Sequence, residues 1–183
     1  MNRSDIELQC SHWVEHFIVH WGICPFARAV LESNDILYRV IDTDDMEQQA
    51  MSVMGLVQQM KSVDSPETAL LIFPSGLTDF DDYLMLLEVC NQLLEQHGNM
   101  AIIQLASFHP DYLFEGEQPD SASHYSNRSP WPMIHLIRQD SIARALDSFS
   151  EPETIPQRNI ALMQEIGRDN LQQQLDEIRA LTI

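Results

Sequence analysis

Apolar side chains recur at helical spacing from the start of the chain. Ile6, Cys10, Trp13, Val14, Phe17 and Trp21 share one face until Gly22 interrupts the run, and Ser4 followed by Glu7 has the form of a capping box. Pro25 suits the first turn of a second, short helix through Glu32, because the donor it lacks would be unpaired there anyway. Ile36 to Ile41 mixes β-branched and aromatic residues between turn signals, which predicts a strand. Asp42 to Asp45 is the acidic entry to the next helix, whose Met46, Ala50, Val53, Met54, Val57 and Met60 mark one face. Ala69 to Phe73 is continuously apolar and stops at Pro74-Ser75-Gly76, the pattern of a strand buried on both faces. Asp79 or Asp81 then opens a helix through His97, with Tyr83, Leu86, Leu87, Cys90, Leu93 and Leu94 inward, and Met100 to Phe108 is the next strand.

After Phe108 the periodicity lapses for about twenty residues, longer than most connections in a compact domain. Met133 to Ile137 reads as a final strand, Asp140 caps a helix through Phe149, and Glu151-Pro152 sets off a helical C-terminal arm over residues 152–183. In that arm Ile160, Met163, Ile166, Leu171, Leu175 and Ile178 form a stripe broken at Gly167, suited to packing on the domain or on a second subunit. A homo-oligomer joined through the arm is therefore one expectation. Alternating strands and helices imply parallel crossovers and a helix-covered sheet. The expected fold is α/β (or α+β): a single domain over residues 1–183 with a mainly parallel or mixed sheet of about four strands flanked by helices.

Composition narrows the partners. With 183 residues, 44% of them hydrophobic, the chain can bury a core without staples. Its formal charge of −18 repels phosphate backbones and anionic head groups, so neither nucleic acid nor a membrane surface is an expected partner. The only lysine is Lys61, so lysine chemistry is set aside. Three distant cysteines, Cys10, Cys24 and Cys90, fit neither a disulfide framework nor a paired zinc knuckle, and the chain opens without an apolar leader. A cytoplasmic location follows as an expectation.

The irregular segment is dense in reactive side chains. His109 suits a general base or metal ligand, Asp111 or Asp120 its carboxylate partner, and Arg128 a fork for carboxylate or phosphate, with Asn127, Tyr112 and Trp131 beside the substrate. The alternative is a packed loop in which His109 and Asp111 satisfy turn hydrogen bonds and Arg128 neutralises acids. His135 alternates with Met133 and Ile137 and so shares their apolar face. It is either a hydrogen-bonded core residue or, with His109 and Asp120 (or Asp111), part of a transition-metal site of two histidines and one carboxylate. His12, His16 and His20, spaced by four, are either a second metal-binding row or an accidental polar stripe. Cys24 sits where a short helix begins, a position that favours a thiolate. The run Cys24-Pro25-Phe26-Ala27-Arg28 with Val40-Ile41-Asp42 looks like the active-site turn of monothiol glutaredoxins and omega-class glutathione transferases. The competing reading of Cys24 is a buried structural cysteine.

Taken together, Cys24-Pro25-Phe26-Ala27, Ile72-Phe73-Pro74, Asp79-Phe80-Asp81-Asp82-Tyr83, the run Gln104 to Tyr112 and the run Asn127 to Arg138 resemble the proteobacterial domain of unknown function 1415 family over nearly the whole chain. The resemblance implies that Cys24, His109, Asp111, Tyr112, Asp120, Asn127, Arg128 and His135 belong to the family pattern. It places a tyrosine where this chain has Trp131, and it leaves the His12, His16, His20 row outside the pattern. It brings no activity with it. Three functions remain open. The leading expectation is an enzyme for a small anionic metabolite at the C-terminal edge of the sheet, with His109 and Asp111 catalytic and Cys24 a further nucleophile or ligand. The others are a non-catalytic binding or assembly protein and a monothiol redox protein centred on Cys24.

Overall fold

A computed structural model describes residues 2–62, 65–147 and 151–183. Helix α1 spans Arg3–Trp13 and is capped by Asn2, whose side chain accepts the Asp5 amide at 2.8 Å, in place of the expected Ser4. The helix does not end at Trp13 but widens into a π-helical turn, Val14–Val19, with backbone bonds from His20 to Glu15 and from Ile23 to Ile18. The apolar stripe read from the sequence is this element's buried face, with Ile6, Cys10, Trp13 and Phe17 all in the core. Helix α2 (Ala27–Glu32) and strand β1 (Ile36–Val40) follow. Helix α3 (Met46–Gln59) is capped by Asp45, strand β2 is Thr68–Ile72, and helix α4 (Phe80–Gln96) is capped by Asp79, each cap side chain accepting first-turn amides. Strand β3 covers Ile103–Phe108, shorter than the sequence suggested because Met100 and Ile102 lie in an exposed turn. A 3-10 turn at Ala122–Ser126 precedes strand β4 (Met133–Arg138) and helix α5 (Gln139–Leu146). The expected end of that helix, Phe149, lies outside the described residues. Helices α6 (Ile155–Ile166) and α7 (Arg168–Arg179) meet at Gly167, whose positive φ turns the chain between them.

The architecture is α/β, around a mixed four-stranded sheet of order β1-β2-β4-β3. β1 and β2 are parallel neighbours, and β4 runs antiparallel to both β2 and β3. The antiparallel strand has a simple cause. Phe108 pairs with Met133, so the 109–132 segment leaves and re-enters the sheet at the same edge, as a very long hairpin loop. Strand β4 must then run backwards, and it fills the place between β2 and β3.

Alternation along each strand divides the core into two layers. Leu70, Ile72 and Met133 face α1, the π turn, α6 and α7, whereas Ala69, Leu71, Phe73, Ile134 and Leu136 face α3 and α4. Every position of β2 is buried, as its continuous apolar run predicts. The C-terminal arm packs on its own chain. Met163, Leu171 and Leu175 join the α1 layer, and Asn159 Nδ2 donates to the Ile23 carbonyl at 2.8 Å. No helix among the described residues is long and apolar enough to cross a membrane.

Candidate functional site

The long loop was the sequence's first choice, and its side chains are occupied in holding it down. His109 is wholly covered at the end of β3, tilted against the rings of Phe80 and Tyr83 at centroid distances of 5.2 and 5.1 Å. Its Nδ1 accepts the Asp111 amide at 3.0 Å, which places the proton on Nε2, and Nε2 donates to the Leu77 carbonyl at 2.9 Å. Burial holds its pKa below the usual histidine value, against the opposing pull of that carbonyl. A neutral imidazole with both nitrogens engaged has no lone pair for a substrate proton or a metal, so the expected catalytic role of His109 meets a physical obstacle.

Its neighbours behave alike. Asn127 Nδ2 donates to the Ser107 carbonyl at 3.1 Å, Ser107 Oγ donates to the Tyr112 hydroxyl at 3.3 Å, and Trp131 Nε1 donates to Gln9 Oε1 at 2.7 Å. Arg128 Nε donates to the Tyr112 carbonyl at 3.3 Å while the guanidinium lies 4.7 Å over the Tyr125 ring. A second histidine, unremarked in the sequence, repeats the His109 arrangement. His124 Nδ1 accepts the Phe114 amide at 3.0 Å and its Nε2 bonds the Gln118 carbonyl at 2.8 Å. Asp111 and Asp120 point to solvent. A cleft of about 310 Å³ does open at this sheet edge, bordered by Arg3, Asp42, Ser75 and Trp131, but His109, Asp111 and Arg128 do not line it.

The expected metal set of His109, His135 and Asp120 is not assembled. His135 pairs with Leu70 and Ala106 in mid-sheet, on the face opposite to the α4 layer, and no group of three His, Cys, Asp or Glu able to hold a metal occurs among the described residues. The row His12, His16, His20 is interrupted by the π turn. His12 and His16 keep ring contact at 4.0 Å, while His20 turns edge-on to Trp21.

A different place remains open. Between the sheet and the α1, π-turn and α2 segment lies a cavity of about 40 Å³, bordered by Trp13, Cys24, Phe108, Thr68 and His135 among otherwise aliphatic and aromatic side chains. No charged residue lines it. Thr68 Oγ1 donates to the Leu136 carbonyl at 2.7 Å and therefore accepts from His135 Nε2 at 2.6 Å. The Nε2-protonated tautomer leaves His135 Nδ1 with a lone pair and no hydrogen-bond partner among the described residues. His135 keeps part of its surface accessible but is surrounded by protein on all sides, and that burial lowers its pKa to about 4, so it is neutral at physiological pH.

Trp13 sharpens the contrast. Trp21 Nε1 donates to Gln174 and Trp131 Nε1 to Gln9, but Trp13 Nε1 is buried without a partner among the described residues. An unpaired buried donor costs about 1–3 kcal/mol. Val14 and Ile18 of the π turn also line the cavity, and π-helical turns within α-helices occur frequently at functional sites. Cys24 completes the wall. Burial raises its thiol pKa, and the Phe26 and Ala27 amides oppose that rise without overcoming it. The thiolate expected at this helix start is thereby disfavoured. The segment before Cys24 is helical, where the glutaredoxin-like turn would follow a strand.

Residues 5–173 match the family described as Protein of unknown function (DUF1415). The chain belongs to this family. The match runs from the first turn of α1 into α7 and so takes in both the loop and the cavity. No curated protein and no solved structure matches the chain. Sequence reasoning missed Trp13 and Thr68. Trp13 looked like any other member of an apolar stripe, and Thr68 stands one position before the apolar run of β2.

Proposed function

We propose that the protein binds a small neutral molecule, a few non-hydrogen atoms in size, in the cavity between the sheet and the α1–α2 segment. The carrying observation is the buried Trp13 indole N–H with no partner among the described residues; Trp13 and His135 both border the cavity, and His135 Nδ1 takes part in no hydrogen bond there. A ligand with one acceptor and one donor would satisfy both groups, in a pocket otherwise apolar, the usual composition of a small-molecule site. Neutrality follows from the lining: an ion entering an uncharged, apolar cavity would lose its hydration without compensation. This reading makes the protein a binding protein in the first instance and assigns Cys24 to the wall.

Formamide and formate have nearly the same shape and differ in charge, so they test the reading directly. Formamide is expected to move the Trp13 indole resonance saturably, with an affinity no tighter than roughly 0.5 mM for three non-hydrogen atoms. His135→Phe is expected to weaken that binding about tenfold through the loss of one buried hydrogen bond. A Trp13 shift with formate equal to or larger than that with formamide, or no saturable shift with either, would overturn it.

The anionic ligand expected from the sequence survives as a second reading at another place. Arg128 has no carboxylate within ion-pair distance among the described residues, in a chain of charge −18. Formate acting there would perturb the Tyr125 ring and leave Trp13 unmoved, and Arg128→Gln would abolish the effect.

A further inference from the structure

The outer side of the α3–α4 layer carries a groove of about 570 Å³. Met46, Ala50, Met51 and Met54 of α3 supply one wall at helical spacing with Glu47 beside them, and Val89, Leu93 and His97 of α4 supply the other. These are apolar side chains left toward water: Met51 is 66% exposed, and Met85 on the next turn of α4 is 56% exposed. Methionine is flexible and polarizable, and grooves lined with it adapt to helical partners of varied shape. Contiguous apolar surface of this kind marks interaction sites.

The charge around the groove selects the partner. Residues 42–59 contain Asp42, Asp44, Asp45 and Glu47, residues 79–98 contain Asp79, Asp81, Asp82, Glu88 and Glu95, and neither stretch has a lysine or arginine. Among side chains that reach these helices, Arg39 is cationic, and it is tied to Gln59 at the end of α3 away from Met46. A second copy of this chain would bring the same acidic helices against each other, so like-charge repulsion disfavours self-pairing through this face. An apolar floor that Glu47 and His97 border, on two helices that carry acids and no lysine or arginine, complements one shape and charge: an amphipathic helix with leucine-type side chains on one face and lysine or arginine on the other.

We infer that the α3–α4 groove is a docking site for a cationic amphipathic helix of a partner protein. It is separate from the cavity, which lies on the opposite face of the sheet. The test uses the full chain and a fluorescent Leu/Lys helical peptide of about 18 residues, long enough to be helical when bound. Binding is expected to weaken steeply as salt rises. Met51→Glu, and the pair Met51→Glu with Met54→Glu, make the protein more acidic while spoiling the apolar floor. They are expected to lose at least tenfold in affinity with unchanged far-UV circular dichroism. Unchanged or tighter binding by these variants would mean attraction by bulk charge alone and would overturn the proposal. Equal binding of a matched Leu/Glu peptide would do the same. So would concentration-dependent dimerisation of the free protein that Met51→Glu abolishes, since the groove would then be filled by a second copy.

Discussion

The 109–132 loop and the α1–α2 cavity invert each other. The loop is rich in imidazole, carboxylate, guanidinium and phenol, and its buried groups are paired: His109 and His124 use both nitrogens, and Asn127, Tyr112 and Trp131 bridge to the sheet and α1. The cavity is poor in polar groups, and of the residues that border it Trp13 and His135 each keep one ring nitrogen, Nε1 and Nδ1, without a hydrogen-bond partner among the described residues. Reactive residue types concentrated in one segment therefore served to fasten it. A loop of this length would otherwise present unsatisfied backbone over the sheet edge, and buried polar groups are costly unless paired. Unused hydrogen-bonding capacity beside an apolar cavity is the better mark of a ligand site.

The largest effect expected from that contrast is at His109. His109→Ala removes a covered ring and strands the Leu77 carbonyl and the Asp111 amide, so a loss of about 3–5 kcal/mol is expected by chemical denaturation. A loss below about 1 kcal/mol would show that the ring does not fasten the loop and would reopen its catalytic reading.

Next comes His135. Its pKa falls from about 6.5 unfolded to about 4 folded, so between those values the unfolded state binds the extra proton. Stability attributable to this group is fully present above pH 6.5, is lost as pH falls toward 4, and levels off below. The total is on the order of 3 kcal/mol. His109 is shifted in the same direction, so the measurement is the difference in pH dependence between the natural chain and His135→Phe over that window. Identical slopes would place His135 in a wetter setting than the cavity described.

The smallest expected effect is at the indole that is paired. Trp131 Nε1 donates to Gln9 Oε1, so a double-mutant cycle of Trp131→Phe with Gln9→Ala is expected to show a coupling of about 1 kcal/mol. A coupling near zero would mean that this bond does not tie the loop to α1.

Much of the fold is legible in the sequence. The stripe Ile6 to Phe17, the β2 run Ala69 to Phe73 and the paired faces of α3 and α4 each announced their element through period alone. The π turn was not readable, because Val14 to Val19 keeps an apolar pattern compatible with an ordinary helix. The antiparallel β4 was also hidden. Its direction depends on where the preceding loop re-enters the sheet, and nothing in residues 133–138 encodes that.

The sequence by itself determined the α/β class, the family membership over residues 5–173, and the absence of lysine and arginine from α3 and α4. Only the tertiary structure decided which polar groups are spent and which are free. His109 meets the Leu77 carbonyl across 32 residues, His135 meets Thr68 across 67, and Trp131 meets Gln9 across 122. Periodicity reports the face on which a side chain lies, a local property of the backbone. Whether a donor on that face finds an acceptor depends on the docking of distant elements, so Trp13 and Trp131 could be told apart only once the helices were packed on the sheet.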